Sequence, residues 1–258
     1  MIEKQYGIIG KPLAHSLSPT LHNFWFRKNN LKANYSLIEI EKDQIKDVIR
    51  KIKTKELQGI NVTVPYKQEV IPYVDLIIND AKKTESINTI YLNKENKIGG
   101  DNTDVYGFEQ SFLNKKTNIN LTNKIFLILG AGGVTPSLIY ALKKNNISNI
   151  YISNRTLKKA ENIKKNFPFV EIIPWNDIYK KAEIADVIIN ATSLGMKNGT
   201  DFDKVFEKFK PGLVYYDVIY NPQETKMLKK FNDSKVETFN GLEMFLFQGQ
   251  KSFSIWHN

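Results

Sequence analysis

The chain has 258 residues, of which 41% are hydrophobic and 25% are charged, with a formal net charge of +10 and no cysteine. This composition is typical of a globular protein with one large domain or two small ones, and the absence of cysteine excludes disulfides and thiol catalysis. We expect a cytoplasmic protein without membrane association, because no segment approaches the roughly 20 apolar residues of a spanning helix and the N-terminus lacks the apolar run of a secretory signal.

The first hundred residues alternate short apolar runs with amphipathic stretches. Strands are predicted at YGIIG (6–10), NYSLIEI (34–40), LQGINVTV (57–64) and INTIYL (87–92). Helices are predicted from Ser18, as the N-cap before Pro19, across 42–55, and from 65 to about 83, with a turn at GGDNTD (99–104). This alternation predicts an α/β domain with a mostly parallel sheet.

The pattern restarts at KIFLILGAGG (124–133), where a buried strand runs directly into a glycine cluster. Later strands are predicted at NIYISN (149–154), VEIIP (170–174), ADVIINA (185–191) and GLVYYDVIY (212–220), with helical segments between them and a helix at 241–258. The fold class is therefore α/β, with two doubly wound α/β domains, the second of the Rossmann type. We expect a cleft between the two domains, where a cofactor meets a substrate.

The glycine cluster has the features of a phosphate-binding turn. Gly130, Gly132 and Gly133 lie between the buried strand and a helix that begins near Val134. Backbone N–H groups at a helix N-terminus approach a pyrophosphate closely only where no side chain intervenes. The strict G-x-G-x-x-G/A fingerprint is not met, because Thr135 occupies its last position. A purely structural turn is the competing interpretation, and the flanking strand and helix favour dinucleotide binding.

The end of the next strand bears on the choice of cofactor. Folds that bind NAD carry an acidic residue there for the ribose hydroxyls, whereas this chain has Asn154, Arg155 and Thr156. Arg155 can make bidentate bonds to a 2′-phosphate, and Lys158 and Lys159 add positive charge. The sequence therefore predicts NADP, with a solvated surface arginine as the alternative interpretation.

Thr63 and Lys67 follow the strand GINVTV, at the sheet edge where open α/β folds bind ligands. A lysine beside a helix N-terminus is electrostatically unfavourable, which favours a functional reason for Lys67. A solvated surface lysine remains the alternative in a chain so rich in this residue.

Eight motifs in order resemble those of the shikimate dehydrogenase family over nearly the whole chain. They are GKPLAHSLSP (10–19), NVTVPYK (61–67), SINT (86–89), DNTD (101–104), GAGG (130–133), NRT (154–156), NATS (190–193) and DVIYNP (217–222). Departures from the family motifs are few. Residues 134–136 differ from the small residues common after the glycines. Val105 and Tyr106 separate Asp104 from Gly107, whereas many relatives have a glycine directly after the aspartate.

The resemblance implies an NADP-dependent oxidoreductase acting on a CH–OH group, which interconverts 3-dehydroshikimate and shikimate in chorismate and aromatic amino-acid biosynthesis. It also implies that Lys67 and Asp104 are the catalytic pair. The chemistry is consistent, because hydride addition to a ketone leaves an alkoxide that an ammonium stabilises and protonates. Asp104 would hold Lys67 in position and bond a substrate hydroxyl.

The family's binding residues carry over one at a time. The implied substrate residues are Ser16, Ser18 and Tyr220 for the carboxylate, and Thr63, Asn88, Asp104 and Gln248 for the hydroxyls, beside Lys67. The implied NADP residues are Gly130, Ala131, Gly132, Gly133, Val134, Asn154, Arg155, Thr156, Lys158, Lys159, Thr192, Val218 and Gly241. The plain alternatives are a helix cap for Ser18, turn residues for Asn88 and Asp104, and a helix-surface residue for Gln248.

The match at Gly241 implies that the last helix returns to the first domain. The resulting domains are 1–104 with 241–258, which binds the substrate, and 105–240, which binds NADP.

Other partners are not expected. The lysines are scattered instead of forming a basic block, which argues against nucleic acid, and three histidines without a carboxylate cluster argue against a metal site. The resemblance implies a monomer or a homodimer, because relatives occur as both. Two alternatives stay open: a quinate/shikimate dehydrogenase that uses NAD, and a catalytically idle NADP-binding sensor. The presence of both Lys67 and Asp104 argues against the second.

Overall fold

The computed structural model describes residues 3–116, 120–197 and 199–257. The chain forms two compact units, one comprising Met1–Gly107 with Leu246–Asn258 and the other comprising Phe108–Phe245. Both boundaries lie a few residues after the predicted ones at 104 and 240, inside helices. Asn258, the last residue of the predicted C-terminal helix, lies outside the described residues.

The first unit contains a mixed six-stranded sheet. Its strands are β1 (Lys4–Gly10), β2 (Ala33–Glu39), β3 (Gly59–Val62), β4 (Leu76–Ile77), β5 (Thr89–Leu92) and β6 (Ile98–Asp101), in the order β2-β1-β3-β5-β6-β4. Its helical segments are α1 (Ser18–Lys28), α2 (Ile45–Lys53), α3 (Ala81–Thr84) and the start of α4 (Asp104–Ser111). The pairing is mostly parallel, as predicted, and β5 is the exception, because it runs antiparallel to both β3 and β6.

Two predicted segments of this unit have a different structure. The helix predicted from 65 to about 83 is replaced by turns, a 3₁₀ segment at Ile71–Tyr73, β4 and the short α3. Pro72 cannot donate to a helix ladder, and β4 pairs with β6 instead. The turn predicted at 99–104 begins as strand β6, where a Cβ on Gly100 would press on Ile87, so this glycine serves packing.

The second unit contains a parallel six-stranded sheet, as expected for a Rossmann-type domain. Its strands are β7 (Phe126–Leu129), β8 (Ile150–Ser153), β9 (Glu171–Ile172), β10 (Val187–Asn190), β11 (Val214–Asp217) and β12 (Glu237–Phe239), in the order β12-β11-β10-β7-β8-β9. Its helices are α5 (Thr135–Lys144), α6 (Leu157–Asn166), α7 (Ile178–Ala182) and α8 (Lys226–Asp233). The strand order reverses beside β7, which makes its carboxyl end the expected ligand edge.

The last helix, α9 (Leu242–His257), begins in the second unit and belongs to the first from Leu246 onward. In the first unit its end packs into an aromatic cluster, where the Trp256 ring lies 5.2 Å from that of His22. No helix in the described ranges is both long and apolar enough to cross a membrane.

His22 is the buried polar member of this cluster. Its ring stacks on Tyr35 with centroids 4.4 Å apart, and its Nδ1 is buried without a hydrogen-bond partner among the described residues. Burial lowers the pKa of His22 to about 3, because a charged imidazole would lose its hydration there. His22 is therefore held neutral at physiological pH.

We predict that His22 makes the folded state sensitive to acid. Because the pKa of His22 falls from 6.5 to about 3 on folding, its contribution is complete above pH 6.5 and is lost as the pH falls toward 3. A His22→Phe variant keeps an aromatic ring without the proton site. Below pH 6.5, wild type should lose about 1.4 kcal/mol of unfolding free energy per pH unit relative to the variant.

Urea denaturation between pH 7.5 and 4.5 measures this difference, with the exposed histidine variant His15→Ala as the control. Parallel pH curves for wild type and His22→Phe would contradict the assignment.

Candidate active site

The predicted substrate residues of the first unit lie mostly along one edge of its sheet. Strands β1 and β3 pair in parallel, and β5 begins and β6 ends where β3 ends. The segments beyond these strand ends therefore meet at the same edge. They carry Ser16, Ser18, Thr63, Lys67, Asn88 and Asp104.

Lys67 and Asp104 form a buried ion pair at this edge. The Lys67 ammonium donates to Asp104 Oδ2 over 2.5 Å, and the two residues are only 9% and 6% exposed. Asp104 is the first residue of α4, where the positive end of the helix favours a carboxylate. Its backbone N–H donates to Asn102 Oδ1 over 3.0 Å, which fixes the start of the helix.

Asn88 completes the group around Asp104. Its Nδ2 donates to Asp104 Oδ1 over 2.9 Å, and its Oδ1 accepts from the Thr103 N–H over 2.8 Å. The backbone carbonyl of Lys67 accepts from the Ile87 N–H over 2.8 Å, which holds the Lys67 turn beside the start of β5. Each carboxylate oxygen of Asp104 keeps a lone pair, so the group can still accept a ligand hydroxyl.

Ser16 and Ser18 form a separate pair, because the Ser16 hydroxyl donates to that of Ser18 over 3.2 Å. The prediction that Ser18 is an N-cap is wrong. Helix α1 begins at Ser18, and the residue before it, Leu17, makes no side-chain cap bond. The Thr63 N–H donates to the Ile9 carbonyl over 2.9 Å, which places Thr63 directly after β3.

The other two predicted substrate residues lie elsewhere in the chain. Gln248 is half-buried on the part of α9 that belongs to the first unit. Tyr220 belongs to the second unit, where its ring stacks on Phe245 with centroids 4.5 Å apart.

The glycine turn of the second unit contains glycines of two kinds. Gly130 has a φ of +106°, and a Cβ there would lie 2.7 Å from the Ala191 carbonyl oxygen, so the fold itself requires this glycine. A Cβ on Gly132 would meet nothing closer than 4.0 Å. Packing does not explain Gly132, whereas close approach of a phosphate does, which is the fit that a dinucleotide needs.

Thr135 departs from the fingerprint without disturbing the turn. It is buried at the start of α5, and its hydroxyl donates to the Gly130 carbonyl over 3.1 Å. Val134 is the N-cap position of α5, as the sequence predicts for the start of this helix.

Asn154 connects this turn to the segment after β8. Its Oδ1 accepts from the Ala131 N–H over 3.1 Å, and its Nδ2 donates to the Thr156 carbonyl over 2.9 Å. Arg155, Lys158 and Lys159 are exposed around the start of α6, whose first turn contains no acidic residue. These three cations and the positive end of α6 repel one another unless an anion binds among them. The segment therefore fits a phosphate group.

Two functional candidates were missed from sequence. Asn190 and Asp217 end the buried strands β10 and β11, and Asn190 Nδ2 donates to Asp217 Oδ1 over 3.1 Å. Burial raises the pKa of Asp217 to about 6, although Thr225 and the Ile219 N–H also donate to it. The sequence signal available for both residues is a polar residue at the end of an apolar strand, where the motifs NATS (190–193) and DVIYNP (217–222) begin.

Asn190 holds predicted cofactor residues in place. Its Oδ1 accepts from the Thr192 hydroxyl over 2.6 Å, and its carbonyl accepts from the Val218 N–H over 3.0 Å. Gly241 donates to the Ile219 carbonyl over 3.0 Å, and a Cβ there would overlap the Val218 carbonyl. Thr192, Val218 and Gly241 therefore lie together at the carboxyl edge of this sheet.

The described ranges contain no group of three or more His, Cys, Asp or Glu side chains that could hold a metal ion.

Two protein-family models match the chain. The model described as the shikimate dehydrogenase substrate binding domain matches residues 8–90. The model described as shikimate / quinate 5-dehydrogenase matches residues 112–199.

Individual relatives match over nearly their full length. The NADP⁺-dependent shikimate dehydrogenase of Pelagibacter ubique is 45% identical over 256 residues, which are 99% of this chain and 94% of that protein. The crystal structure of shikimate dehydrogenase from Aquifex aeolicus superposes with a TM-score of 0.88 at 36% identity, covering 99% of this chain and 94% of that one. A shikimate dehydrogenase structure in complex with NADP⁺ also has a TM-score of 0.88, at 34% identity, covering 98% and 90%.

The two kinds of glycine predict opposite outcomes for alanine substitutions. Gly132→Ala should leave thermal unfolding of the cofactor-free protein nearly unchanged and weaken NADPH binding by at least about tenfold, because the added methyl group occupies the space a phosphate needs. Gly130→Ala should destabilise the cofactor-free protein by roughly 1–3 kcal/mol through backbone strain. Thermal unfolding and a fluorescence titration with NADPH measure the two effects. Unchanged NADPH affinity in Gly132→Ala would remove this turn from the cofactor site.

Proposed function

The chain belongs to the shikimate dehydrogenase family, and we propose that it reversibly reduces 3-dehydroshikimate to shikimate with NADPH, using Lys67 and Asp104 as its catalytic pair. The reaction belongs to chorismate and aromatic amino-acid biosynthesis. The observation that carries the residue assignment is the buried contact between Lys67 and Asp104, with Asn88 on the other carboxylate oxygen.

Lys67 acts on the oxygen of the substrate ketone. NADPH, when bound, would supply a hydride to the carbonyl carbon, which would leave negative charge on the ketone oxygen. The Lys67 ammonium stabilises this developing charge and transfers its proton to the oxygen, which gives the product hydroxyl and a neutral amine. The amine regains a proton from solvent. In the oxidative direction the neutral amine accepts the hydroxyl proton.

Asp104 holds Lys67 in position and contributes to substrate binding. Because Lys67 and Asn88 each use one carboxylate oxygen, the remaining lone pairs are free to accept a substrate hydroxyl. We assign the other ring hydroxyls to Thr63, Asn88 and Gln248, and the carboxylate to Ser16, Ser18 and Tyr220. A polyhydroxylated acid needs many such groups, since each desolvated hydroxyl without a partner costs about 1–3 kcal/mol.

The second unit holds the cofactor. Residues 130–134 receive the pyrophosphate, Asn154 to Lys159 receive the 2′-phosphate and adenine ribose, and Thr192, Val218 and Gly241 line the rest of the site. The exposed cations at the start of α6 support NADP over NAD. We place the enzyme in the cytoplasm, as a monomer or homodimer with the small-molecule substrate as its partner.

Lys67→Ala tests the catalytic assignment. The variant should lower kcat for NADPH oxidation with 3-dehydroshikimate by at least about a hundredfold, because the general acid is lost, while NADPH affinity is kept. Lys82→Ala, an exposed lysine of the same unit, is the matched control. The same assay with 3-dehydroquinate in place of 3-dehydroshikimate is the substrate control. Near-normal turnover by Lys67→Ala would remove this lysine from the mechanism.

Arg155→Gln tests the cofactor assignment. Loss of a charge-assisted bidentate contact should lower kcat/KM for NADPH by at least about tenfold and leave the value for NADH nearly unchanged. Arg50→Gln, on α2 of the other unit, is the control. Equal efficiency of wild type with NADPH and NADH would favour the quinate/shikimate alternative. NADPH binding without any turnover would favour the idle sensor.

A further inference from the structure

A buried polar network lies beneath the Lys67–Asp104 pair and includes Ser252 of α9, which the mechanism does not use. Ser252 is fully buried, and its Oγ lies 2.7 Å from Thr89 Oγ1 and 3.2 Å from Thr103 Oγ1. It also accepts from Asn61 Nδ2 over 3.0 Å. Ser252 follows Gln248 by one helical turn and lies 3.1 Å from its carbonyl oxygen.

The network leads from Ser252 to the catalytic pair. Thr89 Oγ1 and Thr103 Oγ1 lie 3.0 Å and 3.1 Å from Asn88 Oδ1, and both can donate to it. With its oxygen occupied in this way, the Asn88 amide directs Nδ2 toward Asp104 Oδ1. A reversed amide would place its oxygen against the Asp104 carboxylate, which is repulsive.

The Ser252 hydroxyl is a hydrogen-bond partner of both threonine hydroxyls beside Asn88. A hydroxyl has one hydrogen, so Thr89 can donate either to Ser252 or to Asn88. Ser252 donates its own hydrogen to the Gln248 carbonyl over 3.1 Å, so its oxygen can accept from Thr89 or from Thr103. When one threonine donates to Ser252, the other can still donate to Asn88 Oδ1.

We propose that Ser252 is a positioning residue for the reaction, acting through Thr89 and Asn88 on Asp104 and Lys67. This inference rests on the proposed function. Water cannot replace a lost partner easily, because Thr89, Thr103 and Asn88 are all buried. Without the Ser252 hydroxyl, Thr89 and Thr103 each lose a hydrogen-bond partner, and the Asn88 side chain is held less firmly against Asp104.

The backbone around Asn88 has independent support, so the effect should fall on catalysis more than on folding. Asn61 Nδ2 donates to the Asn88 carbonyl over 3.0 Å, and Asn61 Oδ1 accepts from the Tyr35 hydroxyl over 2.8 Å. The Val62 N–H also donates to the Asn88 carbonyl over 2.9 Å. The bond from Val62 joins two backbone groups and does not involve Ser252, whereas Asn61 is also a partner of Ser252.

Ser252→Ala and Ser254→Ala form a matched pair of variants. Ser254 lies on the same helix and donates to the Gln250 carbonyl over 3.1 Å, the same type of helix contact, but it is not part of the network. Ser252→Ala should lower kcat by about tenfold and leave the KM for NADPH unchanged, whereas Ser254→Ala should resemble wild type. Ser252→Cys keeps a weak hydrogen-bonding group and should fall between wild type and Ser252→Ala.

A double-mutant cycle separates positioning from general destabilisation. If Ser252 acts through Lys67, then Ser252→Ala added to Lys67→Ala causes no further loss of kcat. If its effect is only structural, the two losses multiply. Equilibrium NADPH binding and thermal unfolding, measured on each variant, report the state of the fold without turnover.

The outcomes distinguish this inference from the proposed function. Wild-type protein without turnover of 3-dehydroshikimate would overturn the proposed function and the inference together. Active wild type with equal kcat for Ser252→Ala and Ser254→Ala, with multiplying losses in the cycle, or with Ser252→Cys no better than Ser252→Ala would overturn the inference alone.

Discussion

The site of the first unit depends on a buried ion pair, which is stable only while both partners are present. Taking Lys67 and Asp104 out of water is unfavourable, and their mutual attraction offsets this when further hydrogen bonds support the pair. Asn88 donates a further hydrogen bond to the carboxylate, and the positive end of α4 favours its negative charge. The antiparallel strand β5 matters for this reason. It begins at Thr89 and so places Asn88 at the edge of the sheet where the segment that follows β3 carries Lys67.

The second unit uses the same type of arrangement at its own sheet edge. Asp217 is buried and accepts from Asn190, which in turn holds Thr192 and Val218. Both polar residues end apolar strands, so the sheet core fixes their position. The glycine turn beside them combines a residue required by the backbone, Gly130, with a residue whose missing side chain leaves room for a ligand, Gly132. Buried polar groups at strand ends thus support the proposed ligand residues in each unit.

Sequence patterns predicted the second unit more accurately than the first. The strands of a parallel sheet covered on both faces are continuous apolar runs, and β7, β10 and β11 were recognisable as such. The segment from 65 to 83 was misread as a helix, because its spacing of apolar residues is compatible with one. Its structure depends on pairing between β4 and β6, which is a contact between distant parts of the chain that local periodicity does not contain.

The sequence by itself determined the α/β class, the position of the glycine turn, the absence of an acid beside Arg155, and, through family motifs, Lys67 and Asp104 as candidates. Only the tertiary structure decided that Lys67 and Asp104 are in contact and that Asn61, Thr89, Thr103 and Ser252 form one network beneath them. The reason is physical: the sequence shows the same serine or threonine whether its hydroxyl is on the surface or in the core. Burial and hydrogen-bond partners, which make such a hydroxyl consequential, exist only once the distant segments of the chain have folded together.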